Sequence, residues 1–176
     1  YTKSELNFSS KSGILKVKKS NDWYTLNFPS EEITAIKNYP EMLQKALNTP
    51  IKEVYEGKWK LVVVLENEET LKNLTPNFSL LTELQWNGII VTAKGTNADF
   101  VSRFFAPKIG INEDPVTGSA HTILIPYWAK KLGLNGLKAF QISKRMGILN
   151  CKYLQNRVEM SGQAITYLKG KLTLKI

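Results

Sequence analysis

Residues 113–121 read Glu113-Asp114-Pro115-Val116-Thr117-Gly118-Ser119-Ala120-His121. An acidic pair is followed by a proline turn, and a Thr-Gly-Ser step then opens the most apolar helix-like run of the chain, residues 120–132. The first turn of a helix leaves backbone N–H groups unpaired and carries roughly half a positive charge. Small residues there let an anion come close to those N–H groups. A carboxylate beside them, Asp114, could move protons or hold a polar substrate group; capping a turn or the helix is the competing role for the same residue.

Outward from that stretch, Ile123, Leu124, Ile125, Tyr127, Trp128, Ala129 and Leu132 make the run apolar nearly all round, the pattern of a helix buried on most sides. Lys130 and Lys131 suit its C-terminus and Gly133 the position after it, while Pro126 conflicts with a helix interior and predicts a kink. Upstream, residues 6–18 alternate around a Ser12-Gly13 turn, and residues 23–28 form a third strand closed by Pro29. Three such strands cannot make a core alone and must pack on something else. Ser30 with Glu31 and Glu32 reads as a helix cap with an acidic first turn; Ile33, Ile36, Met42, Leu43, Ala46 and Leu47 follow at broken helical spacing, with Pro40 opening a second piece. Strands are expected at 60–65 and 89–93, short helices at 68–74 and after Pro76, an extended run at 97–106 and a loop at 107–117. Beyond Gly133 the expected strands are 140–143, 147–154, 157–160, 164–168 and 172–176. Together these describe an α+β unit, a mostly antiparallel sheet wrapped around a central apolar helix at about Gly118–Leu132.

With 176 residues, 43% of them hydrophobic and 22% charged, the chain can bury one sizeable core. No apolar run reaches the ~20 residues a bilayer span needs, and no signal-like apolar segment follows Tyr1, so a cytoplasmic protein without a membrane partner is expected. Cys151 is the only cysteine; it excludes an internal disulfide and a cysteine zinc site, and its strand-like setting suits an inert thiol. The net charge of +9 comes almost entirely from scattered lysines, with three arginines (Arg103, Arg145 and Arg157), which argues against a nucleic-acid partner.

Four segments carry a more specific signal: Ser102-Arg103-Phe104-Phe105-Ala106-Pro107, the run from Gly110 to His121, Pro126-Tyr127-Trp128, and Gln141-Ile142-Ser143-Lys144-Arg145-Met146-Gly147. With looser matches at residues 8–17 and 23–29, they resemble the PhzF-like isomerase family of phenazine biosynthesis. The resemblance implies a diaminopimelate-epimerase-like fold, in which two similar halves each wrap a sheet around a central helix and the two helix starts face each other across a cleft. It implies that Asp114 and Ser119 are catalytic positions of the second half, with Thr117, Gly118 and Ala120 lining the substrate site. The family's first-half glutamate and Gly-His-Ala-Thr motif have no counterpart here, and His121 is not that histidine. Residues 1–28 are then expected to be the terminal strands of a largely missing first half, and residues 29–176 the second half, with on the order of 100 residues lying upstream.

The activity implied is that of a cofactor-independent, metal-free isomerase or epimerase that moves a proton on a small carboxylate-bearing substrate by acid/base catalysis. Thr117 stands where the second-half cysteine of related epimerases would fall, so the resemblance does not support a two-cysteine racemase mechanism. The chain alone is expected to be inactive and to form a homodimer or associate with the missing half. The rival is a non-catalytic binding or interaction protein that retains the half-fold. The neighbouring side chains have plainer roles: Glu113 solvated or paired with an arginine, Arg103 in a structural ion pair, Tyr127 and Trp128 in the core, Ser143 and Arg145 in sheet and loop structure, and His121 structural or pocket-lining.

Overall fold

The computed structural model describes residues 4–11, 13–171 and 173. In chain order the elements are β1 (Glu5–Ser10), β2 (Gly13–Ser20), β3 (Trp23–Pro29), β4 (Thr34–Ala35), α1 (Glu41–Leu47), β5 (Glu53–Glu56), β6 (Lys60–Val64), α2 (Glu68–Lys72), α3 (Phe78–Glu83), β7 (Gly88–Lys94), β8 (Phe100–Ala106), β9 (Ile111–Asp114), α4 (Gly118–Leu132), β10 (Gly136–Gln141), β11 (Gly147–Tyr153) and β12 (Arg157–Gln163). One sheet runs β1-β2-β3-β12-β11-β10-β8-β7-β6-β5-β4, with β9 added beside β8. Among the described pairings only β6 with β7 and β8 with β10 are parallel. The expected α+β architecture and mostly antiparallel sheet are therefore present.

Alternation along the central strands decides the layers. Val62 of β6, Ile90 of β7, and Phe100 and Phe104 of β8 face α4, where they join Ile123, Leu124, Ile125 and Trp128. Residues of β10, β11 and β12, including Ala139, Leu149 and Met160, reach the same helix, so the sheet curls around it. The intervening positions, Leu61, Val63, Ile89, Val91, Val101 and Phe105, point the other way onto α1, α2 and α3. Strands buried on both faces read as continuous apolar runs, which is why 60–64 and 89–93 stood out in the sequence.

The N-terminal meander obtains its packing by extending the sheet. β3 pairs with β12 over seven residues, from Arg157↔Pro29 to Gln163↔Trp23. Gly13 at φ +93° and the Ser10 hydroxyl on the Gly13 carbonyl (2.8 Å) shape the first hairpin, while Ser12 lies outside the described residues.

α4 is continuous through Pro126. A proline there leaves the carbonyl one turn earlier, that of Thr122, without its helical donor. The Glu31 N–H, arriving from the β3–β4 connection, donates to that carbonyl at 3.0 Å. The proline is compensated from outside the helix. One expectation is corrected here: the 30–39 segment is not helical. Ser30 N–H and hydroxyl bind the carbonyls of Asn156 and Gln155 (both 3.0 Å) and do not cap a helix. The Glu31 carboxylate takes the Lys58 N–H and Lys60 ammonium (both 3.2 Å). Helix begins only at α1, after Pro40.

Three further corrections concern strands. β5 was not anticipated, although Glu53-Val54-Tyr55-Glu56 alternates and Val54 is buried. Residues 111–114, expected as loop, form β9 against β8. Residues 164–168, expected as a strand, have no regular structure and pair with no described strand; Ile165 and Tyr167 are 96% and 100% exposed. Most of the expected strand at 172–176 lies outside the described residues.

At the C-terminal end of α4, Gly133 adopts φ +69° and closes the helix as expected. Nearby Glu53 gathers the hydroxyls of Tyr55 and Tyr127 (2.7 and 2.8 Å) and the Lys131 ammonium (2.5 Å). Burial pushes its carboxyl up, but the bonds from Lys131, Tyr55 and Tyr127 outweigh burial and hold it at about 2, against an ordinary 4.5. A depressed acid contributes stability that is complete above its unfolded value and is lost as pH falls through the folded one. Glu53→Gln is thus expected to melt below wild type near neutral pH, with the gap closing as pH falls from about 4.5 toward about 2. Calorimetry or circular dichroism across that window checks it; a gap independent of pH would remove Glu53 from this role.

Candidate active site

The site is built where β9, α4 and the end of β10 meet. Asp114 ends β9 opposite Phe104, and Pro115 then turns the chain into α4. Alternation along β9 sends the two acids apart. Glu113 binds Arg103 through two parallel bonds, Nε to Oε1 at 2.8 Å and Nη2 to Oε2 at 2.9 Å. Arg103 Nη1 also donates to the carbonyls of Leu71 and Leu74 (3.3 and 2.6 Å). That pair ties β8 and β9 to the loop after α2, the structural role foreseen for Arg103. Removing it strands a partly buried carboxylate and two carbonyls. Arg103→Met is expected to cost about 2–3 kcal/mol in urea unfolding, whereas an ordinary exposed pair would cost well under 1.

Asp114 takes a different partner. The Thr117 hydroxyl donates to Asp114 Oδ2 at 2.5 Å. Thr117 is the residue that precedes the first turn of α4, yet its hydroxyl makes no cap to that turn. Among the described residues the N–H groups of Gly118 and Ser119 have no protein acceptor, and the half-charge of a 15-residue helix sits on them. Ser119 is exposed, Gly118 half-buried and Ala120 buried. The five residues expected at the site are therefore contiguous around one helix start, with Asp114 and Thr117 in direct contact.

Gln141, quoted above only within a resembling segment, turns out to hold this geometry. It is fully buried at the end of β10. Its Oε1 accepts the Thr117 N–H (2.8 Å), and its Nε2 donates to the Asp114 carbonyl (2.7 Å) and the Thr117 hydroxyl oxygen (3.1 Å). Ser143 assists by donating to the Pro115 carbonyl at 2.8 Å. The sequence signal was a glutamine in register with the apolar Leu137 and Ala139 on one face of a strand, and a buried amide needs partners. Gly147 lets β11 approach the same turn, since a Cβ there would stand 2.4 Å from Val116 Cγ2.

A groove of about 950 Å³ opens beside the helix start, lined by Trp23, Tyr24, Leu26, Val116, Gly118 and Met160 among others. Another hollow, about 550 Å³ with Tyr55, Tyr127, Lys130 and Lys131, lies toward the opposite end of α4 from Asp114. Cys151 is buried and its thiol is pushed up to about 12 by burial and by Asp99, as suits an inert cysteine. Among the described residues no three His, Cys, Asp or Glu side chains gather as a metal-binding group, and no helix is long and apolar enough to cross a membrane.

A curled, mostly antiparallel sheet around one buried helix defines the α+β class of this protein. An epimerase predicted for Pseudomonas aeruginosa shares it at a TM-score of 0.60 and 13% identity, over 91% of this chain and 64% of that one. The chain belongs to the phenazine biosynthesis-like (PhzC-PhzF) family, whose signature matches residues 2–170. A PhzF-family phenazine biosynthesis protein of Enterococcus faecalis superimposes at a TM-score of 0.90 with 46% identity, covering 99% of this chain and 66% of that one. Among curated relatives, one named an uncharacterized isomerase in Halalkalibacterium halodurans is 44% identical over 96% of this chain. Another so named in Pseudomonas aeruginosa is also 44% identical over 96% of the chain. The chain spans 64% of the length of each of these two relatives.

Proposed function

We propose that this chain forms one wall of an isomerase or epimerase that moves a proton on a small carboxylate-bearing substrate, by acid/base chemistry in a cleft between two halves. The observation that carries the reading is Asp114 held by Thr117 beside the open N–H groups of Gly118 and Ser119. In this reading Asp114 exchanges the proton, and Ser119 supplies a hydroxyl to the reacting group. Thr117, Gly118 and Ala120 line the site, where the helix-start N–H groups hold the substrate anion or the enolate that develops on it. Thr117 excludes a cysteine from its own position, and the chemistry calls on no metal or organic cofactor.

The facing wall, with its own carboxylate, is assigned to the length of the relatives that this chain does not span. Residues 1–28 are assigned to strands of that first half and 29–176 to the second. The exposed Phe8, Ile14, Ile165 and Tyr167 support association with such a partner or with a second copy. Deuterium uptake from D2O into dihydro-hydroxyanthranilate-type and other cyclic carboxylates, followed by mass spectrometry, tests the reading. The two-walled protein is expected to exchange and residues 1–176 alone are not. Exchange by the single chain would refute the shared cleft, and binding without exchange by the two-walled protein would favour a non-catalytic module.

A further inference from the structure

Two buried side-chain atoms among the described residues have no hydrogen-bond partner, Ser102 Oγ and His121 Nε2. Both residues are essentially inaccessible, at 1% and 0% exposure. The proposed chemistry uses neither. Native proteins seldom leave such atoms unpaired, so the pair calls for an account.

Topology places them together. Ser102 stands in register between Thr92 of β7 and Gln141 of β10. Thr92 faces α4, since its hydroxyl oxygen accepts the Trp128 indole N–H at 3.0 Å; Gln141 faces α4 because it binds Thr117. Cross-strand neighbours share a face, so Ser102 faces α4 as well. Phe100, two residues before Ser102 on that face, has its ring 6.0 Å from that of His121 and 5.9 Å from that of Trp128. Ser102 thus lies beneath the part of α4 that carries His121.

The chemistry of the two atoms is complementary. His121 Nδ1 is 2.8 Å from the Thr117 carbonyl, which can only accept, so Nδ1 carries the proton and Nε2 is a bare lone pair. A serine hydroxyl rotates freely and can donate to it. Burial disfavours a charged ring at this position, in keeping with a neutral imidazole.

We propose that Ser102 and His121 are a buried positioning pair for the site: the Ser102 hydroxyl proton is directed at His121 Nε2 through one internal water, since the two atoms do not bond each other directly, and the ring so fixed holds the Thr117 carbonyl. Thr117 in turn holds Asp114, so the pair sets the aim of the carboxylate without touching substrate. This rests on the reading of Asp114 as the proton-transferring group.

His121 is the sole histidine, so the imidazole nitrogens give one unambiguous pair of resonances in 15N-labelled protein. Long-range 1H–15N correlation is expected to show protonated Nδ1 and a hydrogen-bonded Nε2. Ser102→Ala is expected to move Nε2 to the position of a free lone pair, and Ser102→Thr to restore it. In the two-walled protein Ser102→Ala is expected to lower deuterium uptake about tenfold to a hundredfold with KM unchanged. A protonated Nε2, or an Nε2 resonance indifferent to Ser102→Ala, overturns the proposal. Should Ser102→Ala fail to fold, the wild-type tautomer decides alone. Full exchange in Asp114→Asn would instead remove the functional reading and leave the tautomer result standing.

Discussion

Asp114→Asn is expected to lower proton exchange in the two-walled protein by about 10²–10⁴-fold while leaving stability nearly unchanged. The asymmetry follows from what surrounds the carboxyl. Its structural contacts are few: the side chain accepts the Thr117 hydroxyl, and the backbone carbonyl accepts the Gln141 amide. Asparagine keeps the backbone acceptor and offers an amide oxygen of the same size to Thr117. What it cannot offer is a carboxylate that takes and returns a proton. Glu113 cannot substitute, because both its oxygens are engaged by Arg103. Deuterium uptake together with a thermal melt of the same variant checks this. Parallel loss of exchange and stability would return Asp114 to the role of a turn residue.

Phe100→Ala is expected to cost about 3–5 kcal/mol in urea unfolding. Phe100 is fully buried in β8 and stacks on Trp128 with the rings 4° from parallel at 5.9 Å. It also touches the His121 ring, so it fills the space between the central helix and the strand beneath it. Truncation would open a cavity at the seam on which both the helix and the positioning histidine depend. The close-packed surroundings, Val62, Ile90 and Leu124 among them, cannot collapse into it without losing contacts of their own. Phe8, half exposed on β1, is the internal control; Phe8→Ala is expected to fall within about 0.5 kcal/mol of wild type. Equal effects at the two positions would mean that the sheet does not close around α4 as described.

What could be read from the chain followed from local periodicity and from short-range chemistry. The all-round apolar run of 120–132, its terminal lysines and Gly133 were sufficient for α4, because helix burial and helix ends leave marks within a few residues. The double-sided burial of 60–64 and 89–93 was legible for the same reason. The grouping of Asp114, Thr117, Gly118, Ser119 and Ala120 was legible because the five are neighbours in sequence. The Arg103–Glu113 pair was within reach too, since β8 and β9 are joined by a short turn.

Elsewhere local signals were overruled. Ser30-Glu31-Glu32 carries helix-cap chemistry, but its donors and acceptors found better partners on α4 and the β11–β12 turn, more than 90 residues away. Residues 164–168 alternate like a strand, yet a strand needs a ladder partner, and none is described beside them. Gln141 could not be ranked from sequence, because its three bonds go to a turn 24 to 27 residues upstream. The amino-acid sequence by itself determined the central helix, the doubly buried strands and the contiguous group of candidate residues at the helix start, since these depend on residues close along the chain. Only the tertiary structure decided what supports Thr117 and what satisfies the carbonyl freed by Pro126. It also decided which of two adjacent carboxylates remains available, because each of these is a contact between segments that the chain brings together only by folding.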